Sequence, residues 1–159
     1  MNIHIVCIGK LKEKYFKDAC SEYIKRLSRF AKITVTELAD EPIPERASKA
    51  EENVVLQKEG QKILSALSAN ETVIALCVEG KQMPSTQLAR LFSDCALSGK
   101  SNLAFVIGGS LGLSDEVKKR SFLRLSFSEM TFPHQLMRVI LLEQIYRACK
   151  INANESYHK

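Results

Sequence analysis

Apolar residues fall in short runs that alternate with longer stretches in which apolar positions recur every three or four residues. The short runs are rich in branched and aromatic side chains, as buried strands are. They cover residues 3–8, 33–38, 72–78, 102–107 and 122–127. The longer stretches have helical spacing. They cover residues 14–29, 48–67, 85–97 and 133–150, with a shorter helix opening at 114–116. Strands separated by helices predict a parallel sheet with helices on both faces, hence one α/β domain over residues 1–159.

Side chains that cap helices mark two of the predicted starts. Ser48 and Glu51 have the spacing of a capping box, in which hydroxyl and carboxylate each satisfy a free backbone N–H. Ser114 precedes Asp115 and Glu116, whose charges suit the positive end of a helix. Both signals agree with the helical spacing that follows them.

Composition narrows the class of protein. The chain is 45% hydrophobic and 26% charged, which indicates a globular fold rather than disorder. Its longest apolar run, residues 73–78, is far shorter than the ~18 residues of a membrane helix, and no signal peptide is predicted. The five cysteines include no CxxC pair and do not cluster with the three histidines. We therefore expect a cytoplasmic protein with reduced thiols, no membrane partner and no metal.

Charge is distributed unevenly around a net value of +5. Residues 10–32 carry eight Lys/Arg against three acids, and residues 120–159 carry six against three. Residues 37–59 reverse the sign, with seven acids against three bases. The two basic segments suit a polyanion such as nucleic acid, or equally the solvated faces of ordinary helices.

A glycine-rich turn follows the fourth predicted strand. Gly108, Gly109 and Gly112 would lie beyond the carboxyl end of that strand, where ligands bind in open α/β sheets. The spacing is G-G-x-x-G, whereas a dinucleotide fold has G-x-G-x-x-G after its first strand. The turn alone therefore fits a tight structural turn as well as a cofactor loop.

Two further segments could carry chemistry. Residues 126–135 form a hydroxyl-rich loop that enters the last helix, and His134 in its first turn is favoured as a neutral, structural ring. Glu143 and Arg147 have the spacing of a helix ion pair, and Arg138 is interpreted as part of the same solvated face. From the residues alone, the prediction is an α/β enzyme that binds a nucleotide-like cofactor.

Several runs together closely resemble the RlmH family, which are ribosomal RNA large-subunit methyltransferases of the SPOUT class. The matching runs are residues 8–11, 107–110, 132–139, 143–148 and 157–158. The resemblance implies a SPOUT domain with a C-terminal trefoil knot that forms the S-adenosylmethionine pocket, in a homodimer. It also implies the reaction, methylation of N3 of a pseudouridine in 23S rRNA on the assembled ribosome.

The resemblance also implies the site residues. The cofactor contacts would be Leu76, Gly108, Gly109, Phe127, Ser128, Glu129, Met130, Thr131 and Phe132, largely through backbone groups. Beyond the resemblance, we hypothesise that Tyr157 and His158 position the target base and that Arg147 or Lys159 favours its deprotonated form. His158 is the favoured proton acceptor, with solvent as the alternative.

Two other functions remain open on the residues. One is a nicotinamide-dependent oxidoreductase that uses the glycine turn, and the other is a non-catalytic ribosome-binding module. Phosphate contacts are expected from lysines of the first basic segment, namely Lys10, Lys12, Lys14 and Lys25.

Overall fold

The computed structural model describes residues 1–157, and strands and helices alternate along this part of the chain. In order they are β1 (Asn2–Ile8), α1 (Lys14–Leu27), β2 (Lys32–Leu38), α2 (Lys49–Ala66), β3 (Thr72–Lys81), α3 (Ser85–Leu97), β4 (Asn102–Ile107), α4 (Asp115–Arg120), β5 (Leu123–Leu125) and α5 (His134–Asn152).

The strands form one parallel sheet in the order β2-β1-β4-β3-β5. Ile3 of β1 pairs with Ile33 on one side and with Leu103 on the other. Strands β1 and β4 lie inside the sheet and are the most completely buried, as expected of strands covered on both faces. The predicted parallel α/β architecture is confirmed.

Each face of the sheet has its own apolar core. On one face α5 packs against both α1 and α3, and the rings of Phe92 and Phe105 meet with centroids 6.1 Å apart. The opposite core is smaller and joins Ile63 of α2 and Val117 of α4 to the sheet. The capping box at the start of α2 is present: the Ser48 N–H donates to Glu51 Oε2 at 2.7 Å, and the Glu51 N–H donates to Ser48 Oγ at 3.3 Å.

The largest difference from the predicted elements is at the edge between β3 and β5. Strand β5 is shorter than the predicted 122–127, and β3 continues beyond the predicted 72–78. Leu76 and Lys81 both lie opposite Leu125, so residues 77–80 leave the ladder and rejoin it. Glycine is required at position 80, where β3 passes close to the backbone of β5, because a Cβ there would lie 2.7 Å from the carbonyl carbon of Leu125.

The C-terminal segment is held against the body of the domain. Helix α5 continues past the predicted end at residue 150, and Asn152 Nδ2 donates to the Ala89 carbonyl at 2.9 Å. After the helix, Glu155 forms ion pairs with Arg29 and Lys150. These contacts place the segment that includes Tyr157.

Residues 1–157 contain neither a membrane-spanning helix nor a cluster of metal ligands. None of their helices is both long enough and apolar enough to span a bilayer. Within that range, no three His, Cys, Asp or Glu side chains are grouped so as to hold a metal ion.

Candidate active site

A cavity of about 610 Å³ lies at the carboxyl ends of β3, β4 and β5. This size is typical of small-molecule sites. Its wall is assembled from three segments that are distant in sequence: the end of β3, the glycine turn, and the loop before α5. The predicted cofactor residues that line it are Leu76, Gly108, Gly109, Phe127, Ser128, Met130, Thr131 and Phe132. Glu129 belongs to the same loop, but it is exposed and is not part of the lining.

The glycine turn is closely folded on itself. A Cβ on Gly108 would lie 2.3 Å from the carbonyl oxygen of Gly112, which any side chain would displace. The Gly112 N–H donates to the Gly109 carbonyl at 3.0 Å, and Gly112 has a φ of +85°, in the left-handed region that glycine tolerates. The turn is therefore a tight structural turn, and it also forms a wall of the cavity.

The loop before α5 presents backbone groups and apolar side chains together. Ser128 organises it, since its carbonyl accepts from Ser126 Oγ at 2.9 Å and its Oγ accepts from the Met130 N–H at 3.0 Å. Met130 is 74% exposed although it lines the cavity. An apolar side chain at the mouth of a cavity with polar backbone groups beside it suits a flat heterocycle with polar edges.

His134 stands at the junction of β1 and α5. Its ring packs against Gly9, where a Cβ would lie 3.0 Å from Nε2, and Gly9 has a φ of +86°. Burial lowers the His134 pKa, and the positive charge of Arg138 lowers it further. The ring is thus neutral near pH 7, as its helix position predicted. No side chain within residues 1–157 forms a hydrogen bond with either ring nitrogen, so the bond across the turn that a structural role suggests is not made.

Arg138 is a buried clamp, and its assignment to a solvated face is wrong. Only 2% of the residue is exposed. Its guanidinium donates to the Gly9 carbonyl at 3.1 Å and forms an ion pair with Glu37, which also accepts from the Leu11 N–H at 3.2 Å. Burial raises the pKa of Glu37, but these hydrogen bonds outweigh it and hold that pKa below its usual value. Residues 9–12 are thereby fixed to α5 beside the cavity.

Tyr157 and Arg147, two of the three predicted catalytic residues, lie close together: Arg147 is in the C-terminal half of α5, and Tyr157 is in the segment that follows the helix. Tyr157 Oη donates to Glu143 Oε2 at 2.9 Å, and Arg147 Nε donates to Glu143 Oε1 at 2.9 Å, which is the predicted helix ion pair. The Arg147 guanidinium lies 4.7 Å from the centre of the Tyr157 ring. Neither residue lines the large cavity of its own chain. His158, the third, lies outside the described residues, as does Lys159.

A second, smaller cavity of about 160 Å³ adjoins the first and shares Gly109, Ser110 and His134 with it. Its wall includes Glu59, which is only 4% exposed. Glu59 is not among the site residues predicted from the sequence. The signal was present, because Glu59 falls on the apolar stripe of α2 between Val55 and Ile63, at i, i+4 spacing.

Comparison with known families identifies the class of this chain. A family model described as "Predicted SPOUT methyltransferase" matches residues 1–158. The chain belongs to the SPOUT methyltransferase family. Relatives of this SPOUT methyltransferase that are named "Ribosomal RNA large subunit methyltransferase H" include proteins of Clostridium novyi, Bacillus cytotoxicus and Bifidobacterium animalis subsp. lactis. They are 62%, 60% and 59% identical to it, each over the full length of both chains.

A solved structure supports the fold of the SPOUT methyltransferase independently. A probable methylase family protein from Haemophilus influenzae Rd KW20 superposes with a TM-score of 0.56, covering 99% of this chain and 70% of that one. The two sequences are 12% identical, so this likeness concerns the fold alone.

Proposed function

We propose that this SPOUT methyltransferase transfers a methyl group from S-adenosylmethionine to N3 of a pseudouridine in 23S rRNA, on the assembled ribosome in the cytoplasm. One observation carries the proposal. Eight of the nine residues that the family resemblance implied for the cofactor, all except Glu129, line a single cavity of about 610 Å³, although their segments are far apart in sequence. The full-length relatives named as rRNA methyltransferases support the choice of acceptor.

The cavity suits S-adenosylmethionine by its size and lining. Gly108 and Gly109 line one side of the cavity, and the loop of residues 127–132 offers the remaining contacts. Leu76 lies at the end of β3, which is between β4 and β5 in the sheet. When bound, the cofactor supplies an electrophilic methyl group. The protein's task is to hold the acceptor nitrogen in line with it.

The acceptor nitrogen must lose a proton before it attacks well. N3 of pseudouridine is an imide N–H, and each pKa unit above ambient pH costs about 1.4 kcal/mol. Arg147 would stabilise the anion, Tyr157 would position the ring and His158 would accept the proton. Because Tyr157 and Arg147 lie outside the cavity of their own chain, we place them at the cavity of a second subunit, in a homodimer whose C-terminal parts form the trefoil knot of the class.

Mixed dimers test the sharing of sites. Subunits with Gly108→Trp would lack the cofactor cavity. Subunits with Tyr157→Ala would lack the contact that the C-terminal segment is proposed to make with the target base. When the two variants are co-expressed, mixed dimers should regain part of the activity that each homodimer lacks. One of the two sites in a mixed dimer then combines an intact cavity with an intact Tyr157. If both homodimers are inactive and the mixture stays equally inactive, Tyr157 acts on the cavity of its own chain.

Affinity for the ribosome would come from the first basic segment. Lys10 and Lys12 are exposed on residues 9–12, and the Lys12 N–H donates to Gln135 Oε1 at 2.8 Å, which ties this loop to α5. Lys14 pairs with Asp18 at 2.6 Å and is less free to meet phosphate. Raising the salt concentration should weaken ribosome binding, because phosphate contacts release counterions.

Methyl transfer from labelled S-adenosylmethionine is the decisive assay. Ribosomes that have been incubated with the enzyme and the methyl donor, and ribosomes that have not, are digested to nucleosides. The nucleosides of the two samples are then compared by mass spectrometry. We expect one new methylated pseudouridine in 23S rRNA, and calorimetry should show binding of S-adenosylhomocysteine but not NAD. No methyl transfer to any ribosomal substrate, or binding of NAD in place of S-adenosylhomocysteine, would overturn the proposed function.

A further inference from the structure

The smaller cavity contains a buried carboxyl group that the proposed mechanism does not use. Glu59 Oε1 accepts from the Glu41 N–H at 3.0 Å, whereas Oε2 has no hydrogen-bond partner among residues 1–157. Oε2 lies 2.9 Å from the position of a Cβ on Gly109, directly beneath the glycine turn. A buried oxygen without a donor is costly, so a retained one calls for an occupant that supplies the hydrogen.

The smaller cavity lies beside the larger cavity, which is the proposed site of the methyl donor. The two cavities share Gly109, Ser110 and His134, so a ring bound in the smaller one lies next to a cofactor in the larger one. A volume of about 160 Å³ equals that of about five water molecules at about 30 Å³ each, which is room for one six-membered ring with its substituents. Enzymes that modify bases receive the base, taken out of its stack, in a snug pocket of this kind.

The lining favours a donor-rich ring that is uncharged when it binds, before N3 loses its proton. Asp40, Glu41 and Glu59 all line the smaller cavity, and Glu41 is paired with Lys62 at 2.6 Å. Carboxyl groups accept hydrogen bonds from ring N–H groups and repel phosphate, so a base rather than the RNA backbone suits the space. Burial raises the Glu59 pKa, and the acceptor role at Oε2 belongs to the ionised carboxylate.

We propose that the smaller cavity is the subsite for the target pyrimidine, and that Glu59 Oε2 accepts a hydrogen bond from the ring N1–H, which pseudouridine has and uridine lacks. The terminal torsion of a glutamate is soft, so a small rotation turns this oxygen toward the cavity. The N3 edge then faces the larger cavity across Ser110 and His134. This inference rests on the proposed function and adds the element that distinguishes the two nucleosides.

Glu59→Gln tests the assignment with the smallest change in shape. The glutamine carbonyl oxygen keeps the bond from the Glu41 N–H, which leaves its NH₂ group toward the cavity, where it cannot accept from N1–H. Rates are measured on ribosomes that carry pseudouridine at the target and on ribosomes from cells lacking the pseudouridine synthase. Glu59→Gln should lower the preference for pseudouridine in kcat/KM about tenfold, the value of one hydrogen bond of this kind. Affinity for S-adenosylhomocysteine, measured by calorimetry, should be unchanged.

Glu52→Gln is the matched control, because it makes the same acid-to-amide change on α2 outside both cavities. It should keep the wild-type preference. A wild-type preference in Glu59→Gln, an equal loss on both kinds of ribosome, or no preference in the wild-type enzyme overturns the inference while leaving the proposed function standing. Absence of methyl transfer by the wild-type enzyme on either substrate would instead count against the proposed function itself.

A second variant keeps the test valid if Glu59→Gln does not fold. Ile43 lines the smaller cavity only and is partly exposed at its rim. Ile43→Trp should raise KM for ribosomes at least tenfold by narrowing the cavity, without changing the affinity for S-adenosylhomocysteine. An unchanged KM for ribosomes in this variant overturns the inference.

Discussion

Replacing Arg138 by methionine tests whether the buried guanidinium fixes residues 9–12 to α5. Arg138 is 2% exposed and donates to the Gly9 carbonyl and to Glu37. A hydrogen bond to a charged group contributes about 1.5–3 kcal/mol. The Glu37 side chain is 32% exposed, so water recovers part of its share after the substitution. We therefore expect Arg138→Met to lower the free energy of unfolding by about 3 kcal/mol.

Urea denaturation at one fixed protein concentration measures this loss, since assembly makes apparent stability depend on concentration. With an m value of about 2 kcal/mol/M, the midpoint should fall by about 1.5 M. Arg147→Met is the control, because Arg147 is 27% exposed and its pair with Glu143 lies within one helix, which is worth about 0.5 kcal/mol. A loss below about 1 kcal/mol for Arg138→Met, or an equal loss in the control, would refute the assignment of a clamp.

Three further substitutions have defined outcomes. Gly108→Ala should weaken binding of S-adenosylhomocysteine at least tenfold, as measured by calorimetry. The new Cβ would lie 2.3 Å from the Gly112 carbonyl oxygen and would open the turn. An unchanged affinity would contradict this expectation. Glu59→Gln should raise the free energy of unfolding at pH 8, and this gain should shrink as the pH falls toward 4. Burial raises the Glu59 pKa in the folded protein, so ionisation of Glu59 opposes folding at any pH above its pKa in the unfolded chain. A gain independent of pH would count against that cause. Ser48→Ala should cost about 1 kcal/mol in urea denaturation through loss of the capping box, and no change would show that the cap is dispensable.

The interior strands and the helix starts were predictable because local pattern and tertiary position agree there. The bounds 102–107 match β4 because an interior parallel strand is buried on both faces and reads as a continuous apolar run. The capping box at Ser48 is equally local, since all its atoms lie within one turn. Neither feature depends on a residue far away in the sequence.

The edge of the sheet and the buried charges could not be predicted in this way. Lys81 rejoins the ladder only because Leu125 is there to pair with it, and nothing near Lys81 in the sequence indicates this. Arg138 looks like a surface residue until Glu37 and the Gly9 carbonyl, more than 100 residues away, meet it in the core. The residues proposed for the cofactor were indicated only by the family resemblance, because their segments come together only in the folded chain.

The departure of residues 77–80 from the ladder gives the larger cavity a wall of adjustable length. Cys77, Val78 and Glu79 face that cavity, while pairing with Leu125 is already secured at Leu76 and resumes at Lys81. One or two residues added here would enlarge the space without shifting the register of any strand, since lengthening a loop costs little free energy. This segment is therefore where an enzyme accepting bulkier sulfonium donors, for tagging RNA with reactive groups, is best engineered.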